Sequence, residues 1–238
     1  DESNHSKVPI VLFVDGSGCY SARRESLQSF WKLPEWTQAA LLIVDKPGMK
    51  PGMGVPKACP DEFANYYSVD QRVFDHLRAI QYLRKNAAWW NGEIRLFGWS
   101  DGGAMGAHIA AYTPEVVRAV LGGMGGAIPM SQQFEDFIIC AEDRLQESQS
   151  KQDCVQKLRV QFQEIRDNPT SKKTWSGDHN TYKAWSTRLD QMEYYLMREL
   201  TIPFLVVHGE LDRDGTPVQS ARLLVDWLRR DDVTNFEY

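Results

Sequence analysis

Ile94-Arg95-Leu96-Phe97-Gly98-Trp99-Ser100-Asp101-Gly102-Gly103 is the stretch on which the fold turns. A short apolar strand carrying Ile94, Leu96 and Phe97 runs into a Gly-x-Ser-x-Gly turn, and the small residues Gly102, Gly103, Ala104, Gly106, Ala107, Ala110 and Ala111 follow as a helix. Glycines on either side of Ser100 permit a turn so tight that the serine backbone is strained and its hydroxyl stands clear of the strand. The small residues beyond it let the helix press onto the strand and aim its first N–H groups at the serine oxygen. Ser100 is therefore the candidate nucleophile. The plain alternative is a tight strand-to-helix turn with an incidental serine.

Outward from this turn the chain alternates. Five strand-like runs, Val8–Val14, Leu41–Val44, Ile94–Phe97, Val117–Leu121 and Ile202–Val207, end in loops holding Gly, Asp or Ser. Their near-continuous apolar character suits parallel strands covered on both faces. The clearest helix opens at Ser68 with Gln71 three residues on, a capping box. It repeats apolar residues at Val69, Val73, Leu77, Ile80 and Leu83 and ends near Asn86, before the turn Asn91-Gly92. This alternation predicts an α/β fold with a doubly wound, mostly parallel sheet. It breaks between about Ile128 and Leu200, a stretch rich in Gln, Glu, Lys and Trp with helix-like patterns and no convincing strand. Ser150 with Asp153 caps a predicted helix running to Asn168, and a further helix is expected over about Thr181–Glu199 with Trp185, Leu189, Met192, Tyr195 and Leu196 on one face. The expected division is a core of residues 1–127 and 201–238 with a helical lid at 128–200.

The 238 residues suffice for one domain with an insertion and a large buried core. A balance of 27 basic against 32 acidic residues, with no basic stripe, argues against nucleic acid or an anionic membrane as partner. The longest apolar runs are strand-length, so no membrane span is expected. With Asp1 in first place, the expectation is a processed, trimmed or partial chain. Four cysteines, Cys19, Cys59, Cys140 and Cys154, show no metal-binding spacing. Their even number points to a periplasmic or secreted protein with two disulfides; unpaired cytosolic thiols are the alternative.

Acyl transfer through a serine also needs an oxyanion hole, a base and a group that orients the base. The first strand ends in Val14-Asp15-Gly16-Ser17-Gly18-Cys19, a glycine-rich turn whose Ser17 or Gly18 N–H, with the Asp101 N–H, is placed to hold a developing oxyanion. The last recognised strand ends in His208-Gly209-Glu210-Leu211-Asp212-Arg213-Asp214, with a carboxylate three residues after the glycine. Taken together these motifs resemble the alpha/beta-hydrolase superfamily over Val8 to Tyr238. Asp15-Gly-Ser-Gly is similar to its oxyanion loop with Asp in place of the usual His, Gly-Trp-Ser-Asp-Gly-Gly to its nucleophile elbow, and His-Gly-Glu-Leu-Asp to its acid loop. The elbow and the position of the insertion look most like the serine-aminopeptidase and valacyclovir-hydrolase-like branches. The resemblance implies Asp212 as the triad acid, with Asp214 the alternative. It also implies that the strand before the oxyanion loop and the strand after it are neighbours, so that Cys19, which follows that loop, and Cys59, in the loop after the next strand, form one expected bridge; Cys140–Cys154, both in the lid, is the other.

Two parts of the family pattern are missing. Only seven residues precede Val8, where two strands are usual, and no histidine follows His208. Of the histidines present, His108 lies about 12 Å along its helix from Ser100 at 1.5 Å per residue. His76 is expected on an exposed helix face, His208 in a structural hydrogen bond, and His5 in a terminal tail. His179, in the Ser176-Gly-Asp-His-Asn loop, is the one that a lid movement would bring over the site. The expectation is a truncated version of a longer enzyme, with its catalytic histidine beyond Tyr238. Asp101 has two readings: a carboxylate at the site mouth that favours a cationic substrate, or a first-turn Asp stabilising its helix. The function expected is a serine hydrolase cleaving a small-molecule ester or amide through an acyl-enzyme, without cofactor or metal and with its oligomeric state left open. A non-catalytic binding protein of the same fold and an acyltransferase are the rivals.

Overall fold

Val8–Val14 forms strand β1, buried from Ile10 onward on both faces, as its unbroken apolar run requires. In the computed structural model the described residues are 7–32, 35, 37–146, 150–175, 179–212 and 216–238. The other strands among them are β2 (Ala40–Ile43), β3 (Trp90–Trp99), β4 (Val116–Gly122), β5 (Phe204–Val207) and β6 (Phe236–Glu237). They make one six-stranded sheet in the order β2-β1-β3-β4-β5-β6, with every pairing parallel. From β1 the chain winds out to β2 and then returns to the other side as β3. The carboxyl ends of β1 and β3 therefore flank the switch point, where open α/β sheets form their crevice. Asp15–Gly18 and Ser100 lie at those two ends.

Strand β3 begins four residues before the expected Ile94. The pairing runs Val8↔Trp90 and then Ile10↔Ile94, so β3 gains two residues on β1 across Pro9. Pro9 has no N–H for the ladder, and Asn91-Gly92 (φ 91° at Gly92) forms the bulge that accommodates it rather than a turn ahead of the strand.

Helix α1 (Asp61–Tyr66) leads into α2 (Val69–Asn86). The Ser68 hydroxyl accepts from the Gln71 N–H at 3.1 Å, as expected, but the Gln71 side chain donates forward to Asp75 at 2.9 Å, so only half of the capping box forms. His76 is fully buried, not exposed. It shares the inward face with Val69, Arg72, Val73 and Ile80, at spacings of three, four and seven residues that keep one stripe on the sheet. Its Nδ1 lies 2.6 Å from the Arg72 carbonyl.

Helix α3 (Asp101–Tyr112) follows Ser100 and packs on β1, β3 and β4. The 128–200 segment contains α4 (Lys151–Asp167), capped by the Ser150 hydroxyl on the Asp153 N–H, and two short helices, α5 (Tyr182–Ser186) and α6 (Tyr194–Met197), where one long helix was expected. The break has local causes. Ser186 and Thr187 turn their hydroxyls onto the Lys183 and Ala184 carbonyls, and Asp190 is drawn to Arg166 of α4 at 2.6 Å. Only part of the expected stripe is buried: Trp185 and Leu189 join Cys154, Phe162 and Trp175 in a second core, but Tyr195 is exposed, Met192 and Leu196 are half-buried, and it is the neighbouring Tyr194 and Met197 that join the sheet core. Helix α7 (Val218–Arg230) packs Leu224, Val225 and Leu228 into the same core as α2 and α3. Disulfides link Cys19–Cys59 and Cys140–Cys154, the expected pairing. No helix of the described residues is long and apolar enough to cross a membrane.

Burial pushes the His76 imidazole down to about 3 from 6.5, with the Arg72 charge adding to the shift. The folded protein therefore refuses a proton that the unfolded chain accepts below pH 6.5, and stability falls as pH drops from 6.5 toward 3. Urea unfolding between pH 7 and 4 is expected to lose about 2–4 kcal/mol through this group, and a His76→Leu variant to show a pH slope smaller by one proton. An identical slope in the variant would show that His76 titrates normally.

Candidate active site

Ser100 adopts φ 56° and ψ −126°, a region that costs a non-glycine residue about 1–3 kcal/mol. The surrounding backbone holds it there. Its N–H donates to the Gly122 carbonyl at 2.8 Å, and its own carbonyl accepts from the Gly103 N–H at 2.8 Å. The glycines are forced by contact. A Cβ on Gly98 would stand 2.2 Å from the Gly102 carbonyl oxygen, and one on Gly102 would stand 2.0 Å from the Val14 carbonyl oxygen. Helix α3 thus touches the backbones of both strands, which presents Ser100 at the crevice.

The loop after β1 meets Ser100 through Gly16, whose missing Cβ would lie 3.2 Å from Ser100 Cβ and 3.5 Å from Ser100 Oγ. Ser17 and Gly18 follow, with Gly18 at φ 94°, and the disulfide at Cys19 fixes the end of the turn. Asp15 does not face the reacting space. Its carboxylate is buried between Arg72 (2.9 Å) and Lys46. Burial alone would raise the Asp15 pKa, but the two cations outweigh it and hold the carboxyl below its usual range. Burial also pushes Lys46 down to about 8 against the pull of Asp15. This cluster, which the sequence did not disclose, ties the oxyanion-loop candidate to α2 and to the loop after β2.

Asp101 is the first residue of α3, which puts its N–H at the helix start beside Ser100. Its carboxylate is 2% exposed, accepts from the Tyr67 hydroxyl at 2.8 Å, and forms an ion pair with Arg188 of the 128–200 segment. The expectation of a carboxylate at the mouth is corrected: the charge is inside and already neutralised. Burial raises Tyr67 to about 12, so it stays a hydroxyl donor.

Asp212 lies in the turn after β5, with its N–H on the Gly209 carbonyl at 3.1 Å and its carboxylate half-buried, 3.8 Å from His208 Nε2. His208 points that same nitrogen at the Thr216 carbonyl, 2.6 Å away, the structural hydrogen bond expected of it. The alternative acid, Asp214, lies outside the described residues. His179 has its ring within 4.8 Å of the Cys19 and Cys59 sulfurs. Those three residues are the one metal-like grouping among the described residues, and both sulfurs are consumed by the disulfide.

Beside Ser100 lies a cavity of about 20 Å³, room for a single water. Met130, Gln133, Arg188, Gln191 and Glu193 line it from the 128–200 segment, and Thr216 from the stretch between β5 and α7. Glu193 is buried, which raises its pKa. The sequence singled out neither Arg188 nor Glu193, because only the folding of their segment over Ser100 places them there.

No known family and no curated protein matches the sequence. Solved structures do resemble it. A lipase-esterase related protein from Clostridium acetobutylicum superposes with a TM-score of 0.54 at 17% identity, over 97% of this chain and 84% of that one. An esterase of Pyrococcus furiosus gives 0.60 at 11% identity, over 97% and 72%. An alpha/beta hydrolase from a Penicillium species gives 0.55 at 14%, over 93% and 78%. With the parallel order and the strand–Ser100–helix turn, these likenesses define the fold as the alpha/beta-hydrolase fold.

Gly102→Ala is expected to lower the urea midpoint by the equivalent of about 2–3 kcal/mol, because its methyl must displace the Val14 carbonyl. Gly54→Ala, with nothing within 4 Å of the new methyl, serves as the control and should cost far less. Equal effects would show that the elbow is not tightly packed.

Proposed function

We propose that the protein is a serine hydrolase acting on a small ester or amide through an acyl-enzyme. The strained backbone of Ser100 at the switch point carries this reading, because such strain persists where a side chain must be presented to a reactant. Ser100 Oγ attacks the carbonyl carbon while its proton passes to a histidine. The carbonyl electron pair moves onto oxygen, and the N–H of Ser17 or Gly18, together with that of Asp101, holds the oxyanion. Collapse expels the alcohol or amine, which takes the proton from the histidine, and water then repeats the sequence on the acyl-serine. Asp212 orients the histidine.

The register supports a base delivered from beyond Tyr238. Strand β6 pairs Phe204↔Phe236 and Leu205↔Glu237, so Tyr238 falls level with Val206. The residues that follow would come level with His208 and Gly209, the turn that leads to Asp212. The 128–200 segment acts as a lid, since a 20 Å³ cavity admits no ester until that segment moves. Two disulfides favour a periplasmic or secreted setting.

The test is hydrolysis of p-nitrophenyl esters by the complete gene product, with turnover expected and Ser100→Ala expected to remove it by a factor approaching 10⁶. Residues 1–238 alone should be nearly inert. Brisk turnover by 1–238 would place the base within this chain and make His179 the residue to mutate. Full activity in Ser100→Ala would end the proposal.

A further inference from the structure

Tyr20 stands where the hydrolase reading assigns no residue. The point at which a Gly16 Cβ would begin lies 3.4 Å from the Tyr20 hydroxyl oxygen and 3.5 Å from Ser100 Oγ, so the two hydroxyls flank the same bare face of Gly16. A methyl at 16 would lie between them, in contact with both hydroxyls and slightly tight against Ser100 Cβ. The ring is held from several sides. The Arg24 guanidinium carbon is 3.5 Å from its centroid, the Lys46 ammonium is 4.1 Å away, and Gly18 packs against its edge with no room for a Cβ. The neighbouring Cys19 is tied to Cys59, and the Tyr20 carbonyl accepts from Lys46 at 3.3 Å. Burial, with the Asp15 charge adding to it, raises the Tyr20 pKa against the pull of Arg24, so the phenol keeps its proton as a neutral donor, and the two cations beside the ring favour negative charge nearby.

From this geometry we infer that the Tyr20 hydroxyl donates a hydrogen bond to the oxyanion formed at Ser100, as a side-chain member of the oxyanion hole beside the backbone N–H groups. The inference rests on the serine-hydrolase reading. In the step it serves, the bond from Ser100 Oγ to the carbonyl carbon forms, the C=O π pair moves to oxygen, and the serine proton goes to the base. Tyr20 keeps its own proton throughout and gives only the hydrogen bond. Its role is confined to the tetrahedral state, where the oxygen carries charge and moves toward Gly16.

Tyr20→Phe in the complete gene product is the test, since it keeps the ring and its cation contacts and removes only the hydroxyl. For a p-nitrophenyl ester kcat is expected to fall by about 10–100-fold with KM unchanged. Affinity for a boronic acid, which forms a tetrahedral adduct on Ser100, should weaken by a similar factor, and the thermal midpoint should stay at the wild-type value. Unchanged kcat and boronate affinity would overturn the assignment while leaving Ser100 as nucleophile. So would a lowered thermal midpoint with KM and kcat both disturbed, which marks a packing role. A wild-type protein that neither turns over esters nor binds the boronate overturns the hydrolase reading, and Tyr20's role with it.

Discussion

The Val14 carbonyl oxygen stands 2.0 Å from where a side chain at Gly102 would begin, and the Gly102 carbonyl oxygen 2.2 Å from where one at Gly98 would begin. Backbone meets backbone at both places, so α3 can seat itself on β1 and β3 only while both positions are glycine. That seating fixes the rest. With the helix pressed down, the residue between β3 and α3 has to reverse direction within one position, and Ser100 takes the left-handed φ of 56° as a result. Farther along α3, Gly106 repeats the constraint, since a Cβ there would stand 2.8 Å from Leu96 and 2.9 Å from Leu121. A larger residue at any of these positions would lift the helix and release the serine into an ordinary turn.

Two buried ionic clusters brace this junction from either side. Asp15 with Arg72 and Lys46 joins the end of β1 to α2 and to the loop after β2; Asp101 with Arg188 and Tyr67 joins the start of α3 to the 128–200 segment. Buried ion pairs add little net stability over apolar packing, but removing one partner leaves a charge stranded, at a cost of about 3–5 kcal/mol. Their effect here is therefore on geometry. Each carboxylate sits at the carboxyl edge of the sheet and is paired with groups from other elements, which ties the loops beside Ser100 to those elements. Arg188 also lines the cavity beside Ser100, so its pairing with Asp101 fixes part of the cavity wall that the 128–200 segment supplies.

What the sequence disclosed follows the range of the forces involved. Strands such as Val8–Val14 and the elbow around Ser100 are set by local period and by glycine, and both were legible to within a residue or two. The Cys19–Cys59 bridge was legible through the strand order that the motifs implied. His76 was readable in principle, since it lies seven residues from Val69 on the same stripe, but its charged neighbours Asp75 and Arg78 drew attention to the opposite face. The break after Ser186 was not readable: hydroxyl back-bonding and the pull of Arg166 on Asp190 operate only once α4 is in place. Arg188, Glu193 and Tyr20 belong to the same class, as their roles come from segments far apart in sequence folding over one point.

The central claim is that the elbow makes Ser100 a nucleophile facing an oxyanion hole. Treatment of the complete protein with a fluorophosphonate, followed by peptide mass spectrometry and a crystal structure of the adduct, tests it directly. The account predicts a single phosphonyl group on Ser100, its P=O oxygen within hydrogen-bond distance of the Asp101 N–H and of the Ser17 or Gly18 N–H. Labelling at another residue, no labelling, or a P=O oxygen turned away from those groups would contradict it.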